Sequence, residues 1–365
     1  MDNIQEKIKY YCAFSYLSIR PLFKAQLFEY FDYDIKRAFL AEEKDLIKVS
    51  EIYNTTIPKD FIQKRNSLDV EECYKNAFLD KEVKILTYED DKYPKLLKEI
   101  PDFPLSLYYK GNLDILDFNY NLAIVGSRQA SQNALLALDN IISDFKNSNI
   151  TIVSGLAYGI DSQAHQSAIN NNLKTIAVVG CGLDIIYPSQ NKKLFNEIKN
   201  NYGVIFSEYP LKTRPVSYNF PQRNRIVVGM SKGTFVVEAK LKSGAMISAN
   251  LTLDYNRELM CMPGNILNPN TQGIYHLIKN GAGIISCAQD LLNHMDWDVF
   301  LEENKNEIEL NEIQKEILEI LALEQKTFDE IINITTKDIT QTMVTLTELE
   351  LKGLIKQTNN KYYRC

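Results

Sequence analysis

The chain has 365 residues, 45% of them hydrophobic and 24% charged, which suits two or three soluble domains, since single cores rarely grow past about 250 residues. No run approaches the roughly 18 apolar residues of a spanning helix, so no membrane role is expected. The net charge of −6 argues against a general nucleic-acid binder until it is divided by region: residues 122–262 carry 14 Lys/Arg against 9 Asp/Glu, and residues 300–365 carry 8 against 13.

Residues 1–7 lack the basic and apolar stretches of a secretory signal, so a cytoplasmic location is expected. The six cysteines, Cys12, Cys73, Cys181, Cys261, Cys287 and Cys365, form no CxxC pair and have no histidine at a zinc-like spacing. They read as reduced thiols, and neither a metal nor a cofactor is expected. Apolar and aromatic residues then recur at helical spacing, as Tyr10, Phe14, Leu17 and Leu22, Leu27, Phe31. This predicts a small helical domain over residues 1–85. A linker rich in charge and proline follows, from Asp90 to Pro104, and leads into a main domain placed at 86–300.

From Asn121 the pattern changes to short β-branched runs that end at glycine, each followed by a longer mixed segment. Strands are predicted at 122–125, 150–153, 175–179, 204–206, 234–237, 259–262 and 283–286, with helices between most of them. Together they describe a doubly wound, mostly parallel α/β sheet. The acidic run from Glu302 to Glu307 reads as a solvated linker. Helices at 311–323, 327–332 and 339–352, the strand-like Leu354-Ile355-Lys356, a turn at Asn359-Asn360 and Tyr362-Tyr363 predict a winged-helix domain over 301–365.

The first predicted strand runs into Gly126-Ser127-Arg128. Backbone amides at a helix start, the helix dipole and a bidentate guanidinium make such a turn an anion site in form; Gly and Ser also serve there simply as turn and cap. Ser154-Gly155, Gly180-Cys181-Gly182 and Ser243-Gly244 repeat the device, and in an open parallel sheet all these loops share the edge where ligands bind. None completes the GxGxxG fingerprint, which disfavours an ordinary NAD enzyme. Lys212, Arg214, Phe220, Arg223, Asn224, Arg225, Lys240 and Lys242 form the densest basic cluster, interleaved with aromatics. Cations neutralise phosphates and aromatic faces stack on unpaired bases, the chemistry of single-strand binding. The bland alternative packs Phe220 in the core and pairs the arginines with Glu208 and Glu238. Asp161 and His165, one helical turn apart, read as a structural contact rather than a catalytic or metal-binding pair.

These residues closely resemble the DNA-processing protein A family (DprA/Smf). The likeness runs through Tyr93-Pro94, residues 122–128, the stretch from Ser154 to Asp161 with His165, Tyr187-Pro188, Ser207-Glu208-Tyr209-Pro210, the stretch from Phe220 to Arg225, Val237-Glu238-Ala239, Ser243-Gly244 and Pro263-Gly264. The resemblance implies an extended Rossmann-like fold that binds single-stranded DNA without cleaving it, forms a homodimer, protects incoming DNA in natural transformation and helps load the RecA recombinase. It implies DNA contacts at Gly126, Ser127 and Arg128, with Phe220, Arg223 and Asn224 in the same pocket. Tyr158 stands where many members carry a basic residue, which would lose one phosphate contact or replace it by stacking. The acidic C-terminal unit is expected to contact protein, or to regulate, more than to grip duplex DNA. The alternative from the enzyme class is a nucleotide or phosphoribosyl hydrolase on a related fold, whose GGxGTxxE hallmark is only approached by Gly233-Thr234 and Glu238. A transcription regulator acting through the terminal unit is a weaker third reading.

Overall fold

A computed structural model describes residues 2–114, 119–299, 301, 310–335, 338–358 and 361–364. The acidic stretch 302–307 and the turn at Asn359-Asn360 lie outside the described residues. The chain forms two compact units, 1–302 and 303–365.

Two strands precede all those predicted. β1 (Lys84–Thr87) and β2 (Ser106–Gly111) flank the segment read as a linker, pair antiparallel with each other, and dock β2 antiparallel on the sheet. The turn region between them is pinned by Tyr93, whose buried hydroxyl donates to the Pro104 carbonyl at 2.5 Å. Burial of nearly all of β2 explains why this continuous Leu-Tyr-Tyr run carries no alternation.

The seven predicted strands all form, as β3 (Tyr120–Val125), β4 (Ile150–Ser154), β5 (Lys174–Val179), β6 (Gly203–Ser207), β7 (Gly233–Val236), β8 (Glu258–Cys261) and β9 (Gly283–Ile284). They are parallel to one another, and the sheet order is β1-β2-β6-β5-β4-β3-β7-β8-β9. β3 is buried on both faces: Leu122 and Ile124 enter one core with the helices Gln132–Ser143 and Ala288–Met295, while Ala123 and Val125 enter the other. Connections from β3 run first towards β6 and later return to β7 on the opposite side. The sheet therefore reverses direction between β3 and β7, the place where loops diverge and open a crevice in doubly wound folds.

Six helices, Asp2–Tyr16, Pro21–Tyr30, Ile35–Phe39, Glu43–Ile52, Phe61–Asn66 and Val70–Ala77, precede the sheet. Two start at aspartate caps: Asp34 accepts from the Arg37 amide, and Asp69 from those of Glu71 and Glu72. Phe14, Phe23, Phe28 and Phe61 from this region share one buried core with Val125, Val153, Val178 and Phe206 of the sheet. The second unit holds the helices Glu312–Leu323, Phe328–Thr335 and Ile339–Leu351 with β10 (Lys326–Thr327), β11 (Ile355–Thr358) and β12 (Lys361–Arg364) in the order β10-β12-β11, a winged helix. Ile339–Leu351 contains neither Lys nor Arg, and it exposes Ile339, Met343 and Val344. Among the described residues no helix is long and apolar enough to cross a membrane.

Candidate nucleic-acid interface

At the crevice between β3 and β7 lies a groove of about 740 Å³. One wall is the loop after β3, Gly126-Ser127-Arg128. The other is the loop after β7 with the start of the helix Gly244–Asp254, and Phe220, Arg223 and Asn224 of the helix Asn219–Gly229 close one side.

Gly126 is needed for close packing, because a Cβ there would lie 2.5 Å from Ile160 Cγ1. The loop after β3 is tied to the helix that follows β4, Ile160–Asn170, by the Ile160 amide donating to the Ser127 carbonyl at 3.2 Å. Ser127 Oγ accepts from the Gln129 amide at 3.1 Å. Arg128 is exposed, forms no ion pair among the described residues, and holds its guanidinium 5.2 Å from the centre of the Phe220 ring. That cation–π contact orients a free cation over the groove at little entropic cost. Phe220 is half-buried, with the exposed Tyr187 at 5.5 Å between ring centres and tilted by 32°. Phe220 therefore forms part of the groove wall, and the two rings present an aromatic surface beside Arg128.

Lys240 lines the opposite wall, exposed and without an ion pair among the described residues. Ser243 does not cap the helix that follows it; its hydroxyl donates to the Lys240 carbonyl at 2.8 Å. The first amides of this helix are thus left without a side-chain acceptor, pointing towards a place where an anion is favoured. A Cβ at Gly244 would meet nothing within 4 Å, so this glycine leaves the helix start open to close approach. Asn224 reaches across to donate to the Gly244 carbonyl at 3.4 Å.

Several residues expected in the site do other things. Arg223 is buried at 3% exposure, and its Nη1 donates to the carbonyls of Gly155, at 2.6 Å, and of Val178. It braces the groove floor; burial lowers its pKa, which the Asp161 carboxyl partly opposes. Gly155 exists for this brace, since a Cβ there would sit 2.3 Å from Arg223 Nη1. Burial pushes the Asp161 carboxyl up, against the pull of Arg223, the Ala157 amide and Arg128. Ser154 is fully buried and donates to the Ile124 carbonyl at 2.7 Å, so its hydroxyl serves the sheet and not the groove. Arg225 also leaves the site: it is 2% exposed and ion-paired to Glu208 at 2.5 Å, with Asp102 at 3.9 Å. Glu238 accepts from Asn268 and the Ser131 amide rather than from an arginine. Lys242 and Arg214 are exposed on loops and do not line this groove, and Lys212 lines a separate groove on the other flank of residues 215–222.

Tyr187 belongs to the wall although sequence reasoning did not assign it to the site; its adjacency to the Gly180-Cys181-Gly182 turn was the available signal. Tyr158 is exposed and donates to Gln190 Oε1. It lies with Arg128, Tyr187 and Phe220 around a small cleft, extending the aromatic surface. Gly233-Thr234 begins β7, away from the groove: a Cβ on Gly233 would press on Met295 and Met260, and Thr234 Oγ1 accepts from Thr252 at 2.8 Å.

His165 is fully buried and does not touch Asp161 through a hydrogen bond. Its Nδ1 meets Thr175 Oγ1 at 2.6 Å; the Thr175 hydroxyl donates to the Ile152 carbonyl, so Nδ1 carries a proton and donates to the threonine. Burial, helped by Arg223, lowers its pKa to about 3. Between about pH 6.5 and this value the unfolded chain binds a proton that the folded chain does not, so stability falls with falling pH. Denaturant titrations should show wild type losing about 2 kcal/mol more than His165→Gln between pH 7.5 and 5. Equal losses would mean that His165 is not held neutral.

The sequence profile of a family described as DNA recombination-mediator protein A matches residues 84–296, and that of the DprA winged helix domain matches 302–360. Protein Smf of a Synechocystis species is 32% identical over 97% of this chain and 98% of its own length. The structure of DNA processing protein A from Streptococcus pneumoniae superposes with a TM-score of 0.66 at 35% identity, covering 78% of this chain and 95% of that one. A structure of the Helicobacter pylori protein, described for its unique single-stranded DNA binding mode, superposes with a TM-score of 0.53 at 32% identity, covering 59% of this chain and 97% of that one.

Proposed function

The chain belongs to the DNA recombination-mediator protein A (DprA/Smf) family, and from that premise we propose that it binds single-stranded DNA in the groove between β3 and β7 and acts as a binding protein, not as an enzyme. The observation that carries this reading is the unpaired Arg128 held over Phe220, opposite Lys240 and the uncapped start of Gly244–Asp254. Phosphates meet two free cations and a helix dipole, while a base leaving its stack meets Phe220 and Tyr187. Every base has a π-face, so such a wall grips a single strand without reading its sequence. The likeness to the Helicobacter pylori protein, described for its single-stranded DNA binding mode, supports the same ligand.

In this reading a homodimer in the cytoplasm protects incoming single strands during natural transformation and helps load the RecA recombinase onto them. The winged-helix unit contacts protein, since its third helix offers no cation to a phosphate backbone. A hydrolase is disfavoured by the place of Gly233-Thr234 in β7 and by a buried, neutral His165.

Fluorescence anisotropy with dT oligomers against duplex of equal length tests the reading. Single strands should bind more tightly, with an affinity that falls steeply as salt rises. Phe220→Ala should weaken single-strand binding by about 1–3 kcal/mol while the thermal midpoint holds. Loss of stability with intact binding would return Phe220 to a packing role. Release of free base from a nucleoside monophosphate at a useful rate would overturn the assignment as a binding protein.

A further inference from the structure

A second groove, of about 710 Å³, lies on the other flank of the segment that bounds the first. Along residues 215–222 the chain alternates: Ser217, Phe220 and Pro221 line the first groove, while Tyr218, Asn219 and Gln222 line the second. The far wall comes from the helical N-terminal region and brings Arg20, Lys24, Lys59 and Lys64, with Lys212 added from the loop after β6.

The charge of this groove is one-sided. Its single carboxylate, Glu208, is already committed to Arg225 at 2.5 Å. None of the five cations forms an ion pair among the described residues, although Arg20 donates to the Thr56 carbonyl at 2.6 Å and Lys24 to that of Phe14 at 3.0 Å. A solvated surface normally intersperses both signs; here burial lowers the Lys24 pKa to about 8 against the pull of Glu208, and the other four cations, uncompensated around one concavity, form an anion-attracting field. Tyr218 stands at the rim, 62% exposed, and half-buried Tyr16 and Tyr209 line the interior. Cations interleaved with open aromatic faces match a polynucleotide single strand better than a compact anion, which needs no ring to stack on.

Resting on the reading of the first groove, we infer that a bound single strand crosses the ridge at residues 215–218 and continues into this second groove, so that the N-terminal helical region takes part in holding DNA. The exposed Arg214, which lines neither groove, sits next to that crossing in the chain and offers a phosphate contact there. The extended track makes affinity depend on strand length: a short oligomer fills the first groove, and a longer one engages both.

Lys59 and Lys64 are exposed, form no ion pair among the described residues and lie outside the first groove, so they isolate this extension. The test measures binding of dT oligomers of about 6 and about 20 nucleotides to the full chain and to the Lys59→Gln/Lys64→Gln variant. The variant should bind the long oligomer about tenfold more weakly, with a salt slope about 1.4 smaller in magnitude, and the short one as wild type does. The Lys59→Arg/Lys64→Arg variant should restore long-strand affinity. An unchanged long-strand affinity and slope in the Gln variant, or an equal loss for both lengths, overturns the extension and leaves the first groove standing. Wild type that binds neither oligomer overturns the first groove and the extension together.

Discussion

Arg128→Ala is expected to weaken single-strand binding by about 10- to 100-fold. A bidentate, charge-assisted contact to a phosphate is worth about 1.5–3 kcal/mol, and each 1.4 kcal/mol is about tenfold in affinity. Arg128 is exposed and forms no ion pair among the described residues, so removing it takes away only a minor pull on the buried Asp161 and the fold should hold. The salt dependence should shrink by about 0.7 in slope, as for one phosphate contact on a single strand. Arg128→Lys keeps the charge but loses the fork and much of the stacking on Phe220, and should fall between. Unchanged affinity in a well-folded Arg128→Ala would remove this residue from the site.

Arg225→Ala should do the reverse. Its guanidinium is buried between Glu208 and Asp102, and truncation leaves Glu208 as a poorly hydrated carboxylate without its cation. Breaking one side of such a pair costs about 3–5 kcal/mol. Chemical denaturation should therefore show a large drop in stability, while the surviving folded fraction binds single strands as wild type does. A stable variant with weak binding would place Arg225 in the groove after all.

The contrast between these arginines marks the limit of what the sequence reveals. The basic cluster was legible as a cluster, but its members were not separable by density. Arg223 and Arg225 are two positions apart on one helix, about 200° around its axis. One braces the groove floor and the other closes an ion pair on the far side, with a carboxylate 17 residues away in sequence. The parallel strands were readable because β-branched runs bounded by glycine have few other uses. β1 and β2 were not: four and six residues long, they sit against Asp- and Pro-rich sequence that resembles a linker. Tyr187 falls within a family-like motif, but nothing local marks it as part of the wall, because only the folded sheet brings its ring centre to 5.5 Å from that of Phe220.

Those two antiparallel strands also shape how this protein can be cut. β2 covers the backbone of β6 from Tyr108 opposite Ser207 to Gly111 opposite Val204. A fragment starting near residue 115 would keep every residue of the groove between β3 and β7, yet it would leave β6 as a bare row of amides and carbonyls, flanked by the apolar surface that Phe14 and Phe28 had sheltered. Such an edge templates pairing between chains. The N-terminal third thus works as a guard over the β6 edge, and trimming to the groove domain exchanges a covered edge for a sticky one.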